Sequence, residues 1–260
     1  SQAISVAFYV IAFSEAFIPF SEYLIEAYPF FSDFSSYLLD RRLIGIIMMI
    51  FLSILMLTKG ANIGMNLLYY VVAILFLSLI MFFMGKPIEG HNLADVDFFS
   101  SISSPDSFFY VFTIIFPAFT GIAAGLGLSG DLKDPKTSIP KGTLLATAVG
   151  IIVYVAVALK LVLSASLDDL ASDQLIMSRI AIWGPIIPIG LGCAAISSAL
   201  GSVMVAPRTL QALGVDKIFP TLTLNTWLSR NKKGTIEPMN ASLISCIIAF
   251  FFVVVGDINM

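Results

Sequence analysis

The chain of 260 residues is 58% hydrophobic and only 12% charged, whereas soluble domains carry roughly 25% charged residues. This composition, with a mean hydropathy of +0.96, excludes an ordinary soluble domain and predicts an all-α integral membrane protein. The net charge of -3 is uninformative because the placement of charge, not its sum, matters in a membrane protein. No basic patch with interleaved aromatic residues suggests a nucleic-acid partner.

About seven apolar segments have the length of roughly 20 residues that a bilayer requires. They lie near residues 1–20, 42–58, 65–84, 108–130, 143–165, 181–205 and 241–256. The first has no polar flank before it and almost nothing follows the last. We therefore expect residues 1–260 to be one transmembrane transport domain cut from a longer protein, with no separate soluble domain.

The basic residues predict how the chain is oriented in the membrane. One set of connections is rich in them: Lys59, Lys133, Lys136, Lys141, Arg208, Lys217, Arg230, Lys232 and Lys233. The opposite set carries most of the acidic residues. By the positive-inside rule, the loop around Lys133–Lys141 is expected to be cytoplasmic and the first span to run outward.

The span at 108–130 contains four poor helix formers, Pro117, Gly121, Gly125 and Gly127. Proline removes a backbone donor and glycine lowers the cost of leaving helical geometry. Such residues predict a discontinuous helix, whose exposed N–H and C=O groups bind ions in transporters with inverted repeats. A proline kink with small-residue packing explains the same composition equally well. After the break, Ser138 is expected to cap the next helix and Pro140 to begin it.

Cysteine and histidine are scarce. Cys193 and Cys246 lie in apolar runs, and the single histidine, His91, lies in a polar connection. We therefore expect neither a disulfide framework nor a transition-metal site. No pattern suggests an enzyme or a bound cofactor.

Four motifs resemble one known family. "FPAFTGIAAGLGLSGDLKDPKTSIPKGT" (116–143) is similar to the sixth transmembrane segment and following loop of the cation–chloride cotransporters. "VAFYVIAFSE" (6–15) resembles their third segment, "RRLIG" (41–45) the start of the fourth, and "ISSALGSVMVAPRTLQAL" (196–213) the eighth. The family belongs to the amino acid–polyamine–organocation superfamily. The resemblance implies its leucine-transporter-like inverted-repeat fold, in part, with segments three to nine of twelve present and segments 1–2 and 10–12 missing.

The resemblance implies a potassium site. In the family a tyrosine of the third segment and a proline and threonine of the sixth surround potassium, and the matching residues are Tyr9, Pro117 and Thr120. Neutral oxygens suit this large, weakly hydrated cation. The structural alternative is a packing tyrosine, a kink proline and a threonine bonded to its own helix backbone.

The resemblance also implies a chloride site at the backbone amides of Gly121, Ile122 and Ala123. An anion there would face unpaired N–H donors and the positive end of a half-helix. Ala123 replaces the larger apolar residue of animal members. Because the backbone binds the anion, we expect this difference to have little effect.

A sodium site is implied by Ala194, Ser197 and Ser198. Sodium-coupled members carry two adjacent serines in the eighth segment, with an alanine carbonyl one turn earlier, whereas the potassium–chloride branch usually breaks the pair. A small, hard cation needs several close oxygens, which this pattern supplies. Serines that serve only close helix packing are the alternative.

Two ionisable residues lie in apolar surroundings. Glu15 is the carboxylate inside the first span, and intramembrane charges are usually functional. In the family this position belongs to an outer gate and pairs with an arginine of the first segment, which is missing here. A carboxylate that simply reaches water is the alternative. Lys160 departs from the apolar seventh segment of the family and is expected to extend toward the outer surface.

The function that these features favour is a sodium-dependent cation–chloride symporter of prokaryotic type, which moves sodium, potassium and chloride by alternating access. An amino acid permease of the same superfamily is the rival, with its substrate carboxylate at Gly121–Ala123. A sodium-independent potassium–chloride cotransporter is the third alternative. We expect an integral protein of the plasma (inner) membrane whose partners are the bilayer and small ions or an amino acid. A homodimer is left open.

Overall fold

Helices make up the regular structure in a computed structural model of the chain, which describes residues 2–88, 106–115, 132–231 and 238–256. The helices are α1 (Gln2–Ala27), a 3-10 helix (Pro29–Phe34), α2 (Ser35–Leu38), α3 (Arg41–Phe83), α4 (Phe108–Ile115), α5 (Pro135–Val162), α6 (Leu167–Ser172), α7 (Ile176–Ile180), α8 (Ile186–Val215), α9 (Leu222–Leu228) and α10 (Met239–Val255). No strand occurs in these four ranges. The prediction of an all-α protein is confirmed.

Five stretches of these helices are long and apolar enough to cross a membrane: Gln2–Ala27, Arg41–Thr58, Asn66–Phe83, Pro135–Val162 and Ile186–Val215. A shorter apolar helix, Met239–Val255, corresponds to the last predicted span. The span predicted at 108–130 is described only up to Ile115, so its predicted break lies outside the described residues. The chain is an integral membrane protein.

Small residues line the contact between α1 and α10, which pack against each other. The buried positions of α1 are Val6, Ala7, Val10, Ser14 and Ser21, and those of α10 are Ala241, Ser242, Ser245, Cys246, Ala249 and Val253. Most of them recur at intervals of three, four or seven residues, which places them on one face of each helix. Small side chains let the two backbones approach closely, which is how membrane helices gain packing energy without a hydrophobic driving force.

Two serines of α1 in this contact form hydrogen bonds with the backbone of their own helix. The Ser14 hydroxyl donates to the Ile11 carbonyl at 2.7 Å, and the Ser21 hydroxyl donates to the Phe17 carbonyl at 3.1 Å. Such hydrogen bonds satisfy a buried hydroxyl group with a backbone carbonyl of the same helix.

The helix α3 is continuous over 43 residues. Both spans predicted here are present, but the expected connection at Lys59 is helical, so the chain does not reverse there. At about 1.5 Å per residue α3 is roughly 65 Å long, about twice the hydrocarbon thickness of a bilayer. The sequence from Thr58 to Asn66 contains no proline, and its two glycines cost only about 1 kcal/mol each relative to alanine. Nothing local therefore forces the helix to end.

The start of α5 is set by Asp134 and Pro135. Asp134 occupies the N-cap position and Pro135 the first turn, where its missing N–H costs nothing. The Thr137 hydroxyl donates to Asp134 Oδ2 at 2.6 Å. The helix thus begins before Ser138 and Pro140, and the prediction that these two residues start it is wrong.

The described chain forms two compact units, Ser1–Leu77 with Pro188–Met260, and Ser78–Ile187. The core of the second unit contains Phe82, Ala165, Ile176, Ile180, Ala181, Ile186 and Ile187. The half-buried Lys160 ammonium donates to the Gly85 carbonyl at 2.7 Å. The cation therefore binds the connection that follows α3, and its extension toward the outer surface stays a prediction.

Candidate functional site

Tyr9 lies in the second turn of α1 and is half-buried. Its neighbours in sequence, Val6, Ala7 and Val10, are buried. The Tyr9 ring meets the Phe8 ring edge-on, with 5.8 Å between the ring centroids. The phenol oxygen makes no hydrogen bond to any residue in the described ranges.

The three residues predicted to hold sodium lie within little more than one turn of α8. Ala194, Ser197 and Ser198 are half-buried, and they are flanked by the buried residues Cys193 and Ala199. Neither serine hydroxyl has a hydrogen-bond partner among the residues that the structure describes. Ser14 and Ser21 instead bond to their own helix backbone. The role of these two hydroxyls as sodium ligands stays a prediction.

The helices that carry Tyr9 and the serine pair meet at Gly192. A methyl group placed on Gly192 would lie 3.4 Å from Cε2 of Phe13, so α1 and α8 are in van der Waals reach there. Tyr9 precedes Phe13 by one helical turn, roughly 6 Å, and Ser197 follows Gly192 by roughly 7.5 Å. The structure places these predicted residues on neighbouring helices of one compact unit. Their ligand roles stay predictions.

Five of the predicted site residues cannot be located. Pro117, Thr120, Gly121, Ile122 and Ala123 lie outside the described residues. The predicted chloride site, and the part of the potassium site contributed by Pro117 and Thr120, therefore stay predictions.

Glu15 forms an ion pair with a residue of this chain. Its Oε1 lies 3.2 Å from Nη1 of Arg41, and the two side chains are 33% and 60% exposed, respectively. The resemblance implied an arginine of the missing first segment, and it did not point to Arg41. The sequence did contain a signal that could have pointed to Arg41. The motif "RRLIG" places two basic residues at the edge of an apolar span, where α3 begins.

Arg41 is positioned by the residue before it. The Asp40 carboxylate accepts the backbone N–H of Arg42 at 2.9 Å and that of Leu43 at 3.2 Å. This is the bonding of an N-cap, which fixes where α3 begins. Arg41 is therefore the first helical residue, facing α1.

This ion pair lines a cavity of about 290 Å³. It lies among α1, the start of α3 and the end of α10, and it is lined by Ile11, Ser14, Glu15, Leu39, Asp40, Arg41, Arg42, Gly45, Val253 and Gly256. Two acidic residues and two arginines line the cavity together with apolar side chains. Such a cavity can hold water and small polar solutes next to the charge pair.

Comparison with known proteins gives a match to one family model. The model described as "Amino acid permease" matches residues 3–260. The match thus covers nearly the whole chain.

Similar proteins come from the solute carrier 12 group and an insect cotransporter. Solute carrier family 12 member 8 of Mus musculus is 35% identical over 158 residues, which are 61% of this chain and 22% of that protein. The bumetanide-sensitive sodium-(potassium)-chloride cotransporter of Manduca sexta is 32% identical over 195 residues, 63% of this chain and 18% of that protein. Solute carrier family 12 member 1 of Mus musculus is 27% identical over 313 aligned residues, all of this chain and 27% of that protein. The chain spans about a quarter or less of the length of these relatives.

Proposed function

Because the chain belongs to the amino acid permease family of membrane transporters, we propose that it is the central part of a secondary active transporter, a sodium-dependent symporter of sodium, potassium and chloride. The similarity to a cotransporter named for sodium, potassium and chloride supports this choice of ions. The observation that carries the sodium dependence is the pair Ser197 and Ser198, whose hydroxyls make no hydrogen bond within the described part of the chain.

In the proposed mechanism, sodium binds to both serine hydroxyls and the Ala194 carbonyl. That carbonyl faces the backbone N–H of Ser198 along α8, yet a carbonyl oxygen has two lone pairs and can also contact a cation. Sodium is small and strongly hydrated, so it gives up water only where several oxygens replace it. Further oxygens would come from a facing segment outside this chain.

Potassium binds, in this proposal, to the Tyr9 hydroxyl together with Pro117 and Thr120. Chloride binds to the backbone amides of Gly121, Ile122 and Ala123. A cation held by neutral oxygens and an anion held by amide dipoles stabilise each other when their sites are adjacent, which couples their transport. Alternating access then exposes the loaded sites to one face of the membrane at a time.

The second candidate function is an amino acid permease, which the description of the matching family model favours. A substrate carboxylate would then occupy the amides of Gly121, Ile122 and Ala123 in place of chloride. Fold and family do not separate the two substrates, since one fold hosts many functions.

Rubidium uptake by the full-length protein in liposomes tests the proposal. We expect uptake that stops when either sodium or chloride is replaced by an inert ion. Protein-free liposomes are the control for leakage. Uptake that continues without sodium would indicate a potassium–chloride cotransporter, and ion-independent uptake of a labelled amino acid would indicate the permease.

A further inference from the structure

Lys160 carries a half-buried positive charge in the last turn of α5. Its ammonium donates to the Gly85 carbonyl at 2.7 Å. An ammonium has three N–H donors, so two remain for other acceptors. None of the ion pairs within the described ranges includes Lys160. A charge that is partly removed from water is costly unless an opposite charge balances it.

An unpartnered hydroxyl group lies one turn beyond Lys160. Ser164 is only 1% exposed, and its Oγ has no hydrogen-bond partner among the residues that the structure describes. The helical turn continues to this position, because the Ser164 and Ala165 N–H groups both donate to the Leu161 carbonyl. Residues four apart on such a turn share a face, with their Cβ atoms roughly 5–6 Å apart. Buried hydroxyl groups in native proteins are nearly always hydrogen-bonded, so this one indicates a bound ligand.

Both residues are fixed against the same short stretch of chain, residues 85–88. Lys160 bonds to Gly85 through its side chain, and the Ser164 carbonyl accepts the N–H of Ile88 at 2.8 Å. These contacts lie within one compact unit of the protein. The ammonium and the unpartnered hydroxyl are therefore held beside each other by the connection that follows α3.

This stretch also forms a wall of a cavity of about 800 Å³, which is lined by residues 84–88 and 179–182. Two of the lining residues are cations, Lys86 and Arg179, and no carboxylate is among them. Arg179 is balanced by Asp169 and Asp173, at 3.9 and 3.3 Å, whereas Lys86 forms no ion pair with a described residue. The surroundings of Lys160 are thus positive, which raises the local concentration of small anions.

We propose that Lys160 and Ser164 bind a halide ion, chloride under physiological conditions, between the ammonium and the hydroxyl. The ammonium supplies the opposite charge, and both groups donate hydrogen bonds to the anion. A monoatomic anion suits the position because the hydroxyl is almost fully buried. The bound ion joins α5 to the connection after α3 and stabilises this unit. The site does not use the amides of residues 121–123, and it does not depend on which ions the protein transports.

The chloride dependence of stability in the full-length protein tests this site. A ligand that binds only the folded protein raises its melting temperature by mass action. The apparent melting temperature is measured while chloride replaces gluconate at constant ionic strength, so that screening does not change. The variants are Ser164→Ala and Lys160→Met.

Each variant has a matched control in the same unit. Ser172→Ala truncates a serine whose hydroxyl already donates to the Asp168 carbonyl of its own helix. Lys86→Met removes the same charge as Lys160→Met, from an exposed position in the cavity wall. A chloride site at residues 121–123 would add its own response to every variant, so the comparison isolates the contribution of Lys160.

We expect chloride to raise the melting temperature of the parent protein, and Lys160→Met to abolish part of that rise. In Ser164→Ala the same part should need about tenfold more chloride or higher, since a hydrogen bond to a charge is lost. Both controls should keep the parental response. If the Lys160 variant fails to fold, the Ser164 variant decides alone.

Three outcomes would overturn the proposal. A parental chloride response in Ser164→Ala would mean that the hydroxyl bonds to water instead. Acetate that stabilises the parent as well as chloride would indicate a general anion effect. A response that is absent from the parent but present in Glu89→Gln would show that Glu89, which follows Ile88 in the sequence outside the described residues, balances Lys160.

Bromide locates the ion directly, because it replaces chloride and scatters X-rays anomalously. Crystals of the full-length protein grown in bromide should show anomalous density between Lys160 Nζ and Ser164 Oγ, and Ser164→Ala should weaken it. Equal density in the Ser164→Ala crystals would indicate an adventitious ion only and would overturn the site. Density at residues 121–123 alone would overturn it too, yet leave the proposed transport function intact. Density at Lys160 in a protein whose rubidium uptake ignores chloride would support this site and count against the proposed function alone.

Discussion

The carboxylate of Glu15 and the guanidinium of Arg41 join the middle of α1 to the first residue of α3, with 3.2 Å between Oε1 and Nη1. The two residues are 26 positions apart in the sequence. The pair lies at the wall of the 290 Å³ cavity. Both side chains are partly exposed, and an exposed ion pair is weak enough to open, as a gate requires.

If this ion pair acts as part of an outer gate, Glu15→Gln and Arg41→Gln should each increase access to the cavity from outside while leaving cytoplasmic access nearly unchanged. An exposed pair contributes about 0.2–1 kcal/mol, which corresponds to a change of at most about fivefold in the labelling rate of a cysteine at Leu39. The double variant should change the rate no more than either single one.

The neighbouring arginine is the control for this experiment. Arg42 forms no ion pair with a described residue, so Arg42→Gln should leave the labelling rate unchanged. Equal changes on both faces of the membrane, or the same effect from Arg42→Gln, would count against a gate and indicate a general loosening of the fold.

Replacing both Ser197 and Ser198 with alanine should weaken sodium binding. Each lost oxygen contact to a charge costs on the order of 1.5–3 kcal/mol, so the sodium concentration for half-maximal rubidium uptake should rise by about tenfold or more. The helix should tolerate the change because alanine is the better helix former. Ser202→Ala, one turn further along α8 at a buried position, is the packing control. An unchanged sodium curve in the double variant would remove the sodium site from the proposal.

Tyr9→Phe should raise the rubidium concentration for half-maximal uptake with little change in protein level. The substitution removes only the hydroxyl, and the ring contact with Phe8 is kept. Tyr69→Phe is the matched control, since Tyr69 is 72% exposed and lies in α3. A half-saturation value equal to that of the parent would exclude Tyr9 as a potassium ligand.

Alanine substitutions at two glycines test the stability of the folded protein independently of transport. A methyl group on Gly85 would overlap the Ile180 carbonyl oxygen, so Gly85→Ala must displace backbone and should cost about 1–3 kcal/mol. Gly150 lies in α5 with nothing within 4 Å of an added methyl group, and Gly150→Ala should stabilise the helix by about 0.5–1 kcal/mol. The apparent melting temperatures of the two purified variants should move in opposite directions. A Gly85→Ala protein as stable as the parent would show that the two backbones are not in contact.

Sequence patterns predicted the apolar helices well because hydropathy over some 20 residues reports directly on partition into lipid. Hydropathy says nothing about whether the chain reverses between two apolar runs. The stretch around Lys59 illustrates this, since it is polar enough to suggest a loop yet lacks a residue that ends a helix. The start of α5 was missed for a local reason, because both Pro135 and Pro140 suit the first turn of a helix and the sequence alone does not choose between them.

The candidate site was predictable in part. Tyr9 and the serine pair were found through motif resemblance, and the structure places them on helices that meet at Phe13 and Gly192. The partner of Glu15 was missed because an ion pair between residues far apart in sequence depends on how α1 and α3 are packed. The inverted-repeat arrangement and the anion site involve segments or residues outside those described, so they stay predictions.

The bond between the Lys160 ammonium and the Gly85 carbonyl also bears on how the protein enters the membrane during synthesis. A lysine inside an apolar helix costs about 2.5–3.5 kcal/mol to insert near the bilayer centre, and less toward either surface. The chain is made from the N-terminus, so Gly85, just after the end of α3, leaves the ribosome 75 residues before Lys160 does. The acceptor is therefore in place when the ammonium arrives. Insertion of α5 should consequently depend on α3, so that α5 expressed without the preceding helices enters the membrane less efficiently than it does in the whole chain.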